Sequence, residues 1–438
     1  MLGNRVSIII IGFFICLFFP QERARSEDIA PSPELLQKLA EVIKEDPKNL
    51  DNYFNYAQVA TAMGELEEAI QAYQYMLSVD ASLHRVKLDL ALLYTRTGRF
   101  KDASILFHEV LDTHPPDEVV RNINLVLKEV NAGLERHKFS GAVTLGYNYD
   151  SNANSAPKTN AITFIDISLP LEGQNRQQVD GQYFGAAVLN YRYRTSHPPE
   201  NTILDWNVRG TTYSSYQQHV ANLDIGVLGV KAGPTLELQR YKTKISLEGG
   251  YQWVQLDYYD YLNMASLDLT TSYRYSDEVT LYSVLTYEDR NFINSPRSNT
   301  FSDRSGDAYQ VKLGFSDVIT NKDVAGASLT YRRENTRQDF LDNDQIDAAG
   351  SYTHQFTDDI FINVFAGQRW SFYDGPDVFV SATTTREDRE AYSTLTFGKK
   401  IMKDTVLTFG YQYRHVSSTI QNYAYDNHRI TTTVGWSF

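Results

Sequence analysis

The chain has 438 residues, a net charge of −13 and a mean hydropathy of −0.40. The length allows two or three domains, and the acidic balance argues against general nucleic-acid binding, which needs a basic face. Thirty Tyr and 22 Phe make the chain rich in aromatic residues, and its low hydropathy does not exclude a transmembrane barrel, in which only alternate residues meet lipid.

The first 26 residues read as a secretory signal. Arg5 supplies the positive start, Val6 to Phe19 an apolar run, and Ala24-Arg25-Ser26 a small-x-small cleavage site. The run is too short for a confident membrane helix, which needs about 20 residues. Cys16, the only cysteine, lies inside it. Phe13-Phe14-Ile15 before it offers none of the small residues of a lipoprotein signal. The mature chain is therefore expected to carry no disulfide and no thiolate metal site.

Residues from about 31 to 136 follow a helical period. Ala57, Gly64, Ala69, Tyr73 and Leu77 recur as Ala91, Gly98, Ala103, Phe107 and Leu111. The spacing of about 34 residues is that of the tetratricopeptide repeat. The glycine suits the turn between two helices, the alanines allow close approach, and the aromatic fills the gap. Pro47 and Pro115 fall near the ends of second helices, where proline stops a helix. Two full repeats run over about 50–83 and 84–117. Glu34 to Glu45 reads as a lone second helix before them, and Glu118 to Arg136 as a closing helix that caps the stack. Such modules present concave surfaces to peptides or proteins. By position in the repeat, Phe54, Gln58, Thr61, Leu88, Leu92, Thr95 and Arg96 are expected to line that groove, although Leu88 and Leu92 equally suit core packing.

From Phe139 the period changes to two. Phe139, Gly141, Val143, Leu145, Tyr147 and Tyr149 alternate with Ser140, Ala142, Thr144, Gly146, Asn148 and Asp150. Fourteen candidate strands follow, over about 139–150, 181–195, 202–215, 222–237, 242–257, 263–275, 279–290, 307–318, 324–335, 344–355, 359–372, 388–400, 405–416 and 427–438. An even count suits a single-chain bacterial barrel. Short connections such as 276–278, 320–323, 357–358 and 402–404 alternate with long ones such as 151–180, 291–306 and 373–387. Short periplasmic turns and longer outer loops are the barrel pattern. It places the helical module and the C-terminus on the periplasmic side. Alternation turns Asn148, Arg369, Gln412 and Arg414 toward the lumen.

The last strand alternates Ile430, Thr432, Val434, Trp436 and Phe438 with Thr431, Thr433, Gly435 and Ser437. One face suits lipid and the other water. This ending resembles the C-terminal strand of bacterial outer-membrane barrels, whose terminal Phe is read by the barrel-assembly machinery. The expected fold is thus α + β, with residues 1–26 a signal peptide, 27–137 a periplasmic all-α tetratricopeptide module, and 138–438 a transmembrane antiparallel β-barrel of about 14 strands in outer-membrane lipid.

No phosphate-binding glycine loop, zinc spacing or nucleophile elbow appears. The nine histidines are scattered. Asp257 with Asp260, and Asp358-Asp359, read as solvated connections. Neither a catalytic centre, a metal nor a cofactor is expected, and the chain does not read as an enzyme.

A short repeat module followed by a barrel of about fourteen strands resembles the surface lipoprotein assembly modifier family, known as Slam. Gly146-Tyr147-Asn148-Tyr149-Asp150-Ser151-Asn152-Ala153-Asn154-Ser155-Ala156-Pro157 resembles the Asn-rich segment that opens that family's barrel. The resemblance spans about 31–438 and implies a translocator that delivers a protein client, a surface lipoprotein or related secreted protein, to the cell surface. The groove would hold the client, and the lumen or a lateral opening would pass it outward. Two alternatives stay open: a polysaccharide export porin, which usually carries many more repeats, and a passive porin.

Overall fold

A computed structural model describes residues 31–159, 161–195 and 202–438. The expected leader, with Arg5 and Cys16, lies outside the described residues. The chain divides into two compact units, Met1–Leu90 and Ala91–Phe438. The described helices are α1 (Pro33–Glu45), α2 (Leu50–Met63), α3 (Leu66–Val79), α4 (His84–Arg96), α5 (Phe100–Leu111) and α6 (Asp117–Leu134). The division between units falls within α4.

In the first unit, Ser32 caps α1 by accepting from the Leu35 N–H at 3.2 Å, and Asn49 accepts from the Asp51 N–H at 3.1 Å at the start of α2. Such caps satisfy donors that the helix leaves unpaired. Gly64 closes α2 at φ +83°, a left-handed position that favours glycine. Ala57, Ala60, Ala69, Tyr73 and Met76 form the buried seam of this hairpin. Burial pushes the Tyr73 phenol well above its ordinary range.

The second unit repeats the device. Gly98 sits at φ +73°, and Ala91, Ala103 and Phe107 are buried as their partners Ala57, Ala69 and Tyr73 are. All five sequence pairs therefore match in burial or in backbone conformation. The fifth, Leu77 and Leu111, is half-buried at both positions. Among the described residues no helix is long and apolar enough to cross a membrane.

The barrel consists of β1 (His137–Asp150), β4 (Asp180–Arg194), β5 (Thr202–Gln217), β6 (Ile225–Leu238), β7 (Thr243–Leu256), β8 (Tyr259–Arg274), β9 (Val279–Phe292), β10 (Gly306–Val318), β11 (Asp323–Glu334), β12 (Asn343–Thr357), β13 (Ile360–Pro376), β14 (Thr385–Met402), β15 (Thr405–Ser418) and β16 (Tyr425–Ser437). These fourteen strands pair antiparallel with their sequence neighbours, and β1 pairs with β16 to close the ring. Closure removes the open edges that a flat sheet would leave. The first long connection carries its own hairpin, β2 (Ala161–Phe164) and β3 (Ile167–Pro170), which the alternation did not foresee.

The ring closes on its last residue. The Gly141 N–H donates to the Phe438 carbonyl at 2.9 Å, and the Phe438 N–H donates to the Gly141 carbonyl at 3.0 Å. A Cβ at Gly141 would lie 2.6 Å from the Phe438 ring. Glycine is required there because the terminal ring lies against its Cα.

The wall has two chemistries. Phe139, Leu145, Tyr149, Ile430, Val434 and Trp436 point outward and exposed, while Asn148, Asp150 and Asn427 on the same strands point inward and buried. This is the lipid-out, water-in division of a transmembrane barrel. Connections at one end are short, including 358–359 and 403–404, and the C-terminus lies at that end. We call it the turn end and the opposite one the loop end. One expectation is corrected. The connection between β7 and β8 at the loop end is only Asp257-Tyr258, at φ +51° and +64°. Both central residues left-handed is the signature of a type I′ hairpin, so β8 begins at Tyr259 rather than near 263.

Candidate functional site

In the lumen many polar side chains converge on shared space. Its loop-end half encloses a cavity of about 850 Å³, lined among others by Lys312, Arg332, Glu334, Asp347, Arg369, Glu390, Gln412, Arg414 and Arg429. Nearly every charge there faces its opposite. Arg332 bonds Glu288 at 2.6 Å and Glu334 at 2.7 Å, and Glu334 also bonds Arg290 at 2.9 Å. Asp347 meets Arg369 at 3.1 Å and accepts from the Tyr392 hydroxyl at 2.9 Å. Glu390 receives both Arg414, at 2.5 Å, and Arg369, at 3.6 Å. Arg429 pairs with Asp150 at 2.6 Å.

This lattice follows from register. Asp347 lies directly opposite Arg369, Arg369 opposite Glu390, and Asp150 opposite Arg429. Opposed charges of unlike sign stabilise adjacent strands. The guanidinium fork suits two carboxylates at once.

Of the predicted lumen residues, Arg369, Gln412 and Arg414 line this cavity. Asn148 lies apart from it, at the seam. Its amide donates to the Gln182 carbonyl oxygen at 2.8 Å and accepts from the Thr431 hydroxyl at 2.7 Å, tying β1 to β4 and β16. Sequence reading missed Glu288, Arg290, Arg332, Glu334, Asp347, Glu390 and Arg429. Charge on the inward parity of each strand is the signal that finds them.

Toward the turn end a second cavity, about 570 Å³, is lined by Lys138, Arg192, Arg209, Lys244 and Glu248 with hydroxyl and amide side chains between them. Here like charges are opposed: Lys138 faces Arg192 and Arg209 faces Lys231. Lys231 is neutralised by Asp268 at 2.5 Å and Arg194 by Asp205 at 2.8 Å.

Arg194 also anchors the helices of its unit to the barrel. It donates to the Gly133 carbonyl at 3.3 Å, and its guanidinium lies 5.5 Å from the centre of the Phe100 ring. A Cβ at Gly133 would come within 2.5 Å of that ring, so α5 and α6 meet closely only because residue 133 is glycine.

The predicted groove residues distribute over both units. In the first, Phe54 packs its ring on Tyr73 at 5.9 Å, Gln58 is exposed, Thr61 donates to the Ala57 carbonyl at 2.7 Å, and Leu88 is half-buried. In the second, Leu92 and Arg96 are exposed. Thr95 is buried with its hydroxyl donating to the Ala91 carbonyl at 2.9 Å, so that side chain serves its own helix.

The Asn-rich segment closes the loop end of β1. Asn152, 1 % exposed, accepts from the Ala156 N–H at 2.9 Å, donates to the Ala156 carbonyl at 2.9 Å, and receives the Asn427 amide on its own carbonyl at 3.2 Å. Among the described residues, no group of three or more His, Cys, Asp or Glu is arranged to hold a metal ion.

Residues 60–123 match the tetratricopeptide repeat family. A protein of Pasteurella multocida (strain Pm70) named surface lipoprotein assembly modifier is 20% identical over 288 residues, covering 64% of this chain and 54% of its own length. The chain thus spans about half the length of that curated relative. Among solved structures, the outer membrane channel DcaP of Acinetobacter baumannii shares 10% identity, with 69% of this chain and 97% of that chain covered and a TM-score of 0.39. OpdQ of Pseudomonas aeruginosa shares 11% identity over 69% of this chain and 99% of that chain, with a TM-score of 0.33. The resemblance to Slam therefore extends from sequence to the repeat match and the closed fourteen-strand barrel.

Proposed function

We propose that this outer-membrane barrel is a translocator that delivers a protein client to the cell surface. The turn end and the helical module face the periplasm, and the loops face outward. Repeat helices take up the client, in the first unit through Phe54, Gln58 and Leu88 and in the second through Leu92 and Arg96, with Thr61 and Thr95 holding the first helices of the repeats in shape. The barrel passes the client outward without covalent chemistry, and Arg369, Gln412, Arg414 and Asn148 belong to the wetted wall it meets. The barrel-assembly machinery would read Phe438 during insertion.

One observation carries the reading. Within the second unit α6 runs directly into β1, and Arg194, paired with Asp205 of β5, ties Gly133 of α6 and Phe100 of α5 to the end of β4. A passive pore needs no helices tied to its wall, and the two full repeats among the described residues are fewer than polysaccharide exporters usually carry. The test is gene deletion followed by antibody staining of intact cells for candidate surface lipoproteins. Loss of at least one protein from the surface, with normal total amounts, is expected. Unchanged display of every candidate together with lost extracellular polysaccharide would overturn the proposal in favour of sugar export.

A further inference from the structure

The hairpin at the loop end has one covered edge and one open edge. β2 and β3 join through Ile165-Asp166, at φ +49° and +59°, a two-residue type I′ turn. In such a hairpin the residues flanking the turn, Phe164 and Ile167, exchange hydrogen bonds, and the next pair, Thr163 and Ser168, points its backbone groups away from the partner strand. On the β2 side that outward pair is clamped. The Thr163 N–H donates to the Asn422 side-chain oxygen at 2.6 Å, and the Asn422 amide donates to the Thr163 carbonyl at 2.8 Å. The turn is tied down as well, because the N–H groups of Ile165 and Asp166 donate to the carbonyls of Phe379 and Val380 at 3.0 and 2.9 Å.

On the β3 side the equivalent pair, the N–H and carbonyl of Ser168, has no partner among the described residues. All four residues of β3 are exposed. Phe164, Ile167 and Leu169 share one face of the hairpin, and Phe379 of the adjoining connection is 64% exposed beside them. Natural sheets blunt such edges with charge, with proline or by keeping the strand short. Here Pro170 ends the strand but no charged side chain lies on it.

We propose that the β3 edge takes up an extended polypeptide as an added strand. An amide that presents one donor and one acceptor already satisfies Thr163, so the matching complement for Ser168 is a peptide backbone. Main-chain pairing supplies affinity in this mode and alternate side chains supply selectivity. The occupant has apolar residues at every second position, to cover Ile167 and Leu169. The identification of that segment as the arriving client rests on the translocation reading. The edge itself does not, since binding by purified protein is independent of delivery in cells.

The test uses the full-length protein in detergent and a fluorescent eight-residue Thr-Val repeat peptide, followed by anisotropy. Saturable binding is expected. Ser168→Pro, which deletes the N–H, should weaken it at least tenfold, and Ser168→Ala should leave it within twofold. The same peptide N-methylated at alternate residues should also bind at least tenfold more weakly. Binding indifferent to Ser168→Pro or to N-methylation, or no binding at all, would overturn the proposal. So would a dimer, seen by size-exclusion chromatography without peptide and abolished by Ser168→Pro, because the occupant would then be a second copy.

Discussion

The two halves of the lumen place their charges differently across neighbouring strands. Toward the loops, register sets Asp347, Arg369 and Glu390 side by side, and Arg332 is shared between Glu288 and Glu334. Toward the turns, Lys138 faces Arg192 and Arg209 faces Lys231. Cross-strand pairing favours the first arrangement and opposes the second. The loop-end half is thus a stabilised collar, held by charge as well as by backbone. The turn-end half sets like charges opposite one another, and Lys231 relies on Asp268 from a further strand for its counter-charge.

The sharpest way to break this contrast is Glu334→Ala. It leaves Arg290, 9% exposed in its side chain, and Arg332 without their shared carboxylate. Urea unfolding in lipid vesicles should show a loss of roughly 3 kcal/mol, the scale for removing one partner of a buried pair. Next, Arg194→Ala removes the clamp between the helices and β4–β5. A loss of about 2 kcal/mol is expected from the stranded Asp205, along with faster proteolysis between 97 and 136 and an unchanged barrel. At the loop tip, Ile165→Asn should stabilise the hairpin by about 1 kcal/mol, because a β-branched residue is disfavoured in the left-handed region that Asn tolerates. Differential hydrogen exchange at 161–170 would measure it. The smallest effect has the opposite sign to the first. Lys138→Gln should raise stability by roughly 0.3 kcal/mol by relieving its opposition to Arg192. A loss of stability there would erase the distinction between the halves.

Much of this architecture was legible because it rests on period. The 34-residue recurrence predicts the left-handed glycines Gly64 and Gly98 and the buried Tyr73 and Phe107, and strict alternation predicts which β1 residues face lipid. Connections were less legible where length misleads. Asp257-Tyr258 reads as part of a longer outer loop because Tyr258 stands where a type I′ turn favours Gly. The β2–β3 hairpin was hidden for the same reason, with Ile165 in its turn. The lumen lattice was half visible. Parity turned Arg369 and Arg414 inward and serves for Glu390 too, but that Glu390 meets both arginines depends on register across β13, β14 and β15, which no single strand encodes. Thr95 was placed in the groove by repeat position, yet its hydroxyl turns back onto its own helix.

Orientation is the premise beneath every functional statement, and site-directed cysteine labelling tests it directly. In a Cys16→Ser background single cysteines would replace Phe379 at the loop end, Asn321 in a short turn, and Ile105 on α5. A membrane-impermeant maleimide applied to intact cells should label position 379 alone, with 321 and 105 reacting only after the outer membrane is permeabilised. Labelling of 321 or 105 in intact cells, with 379 protected, would contradict the account.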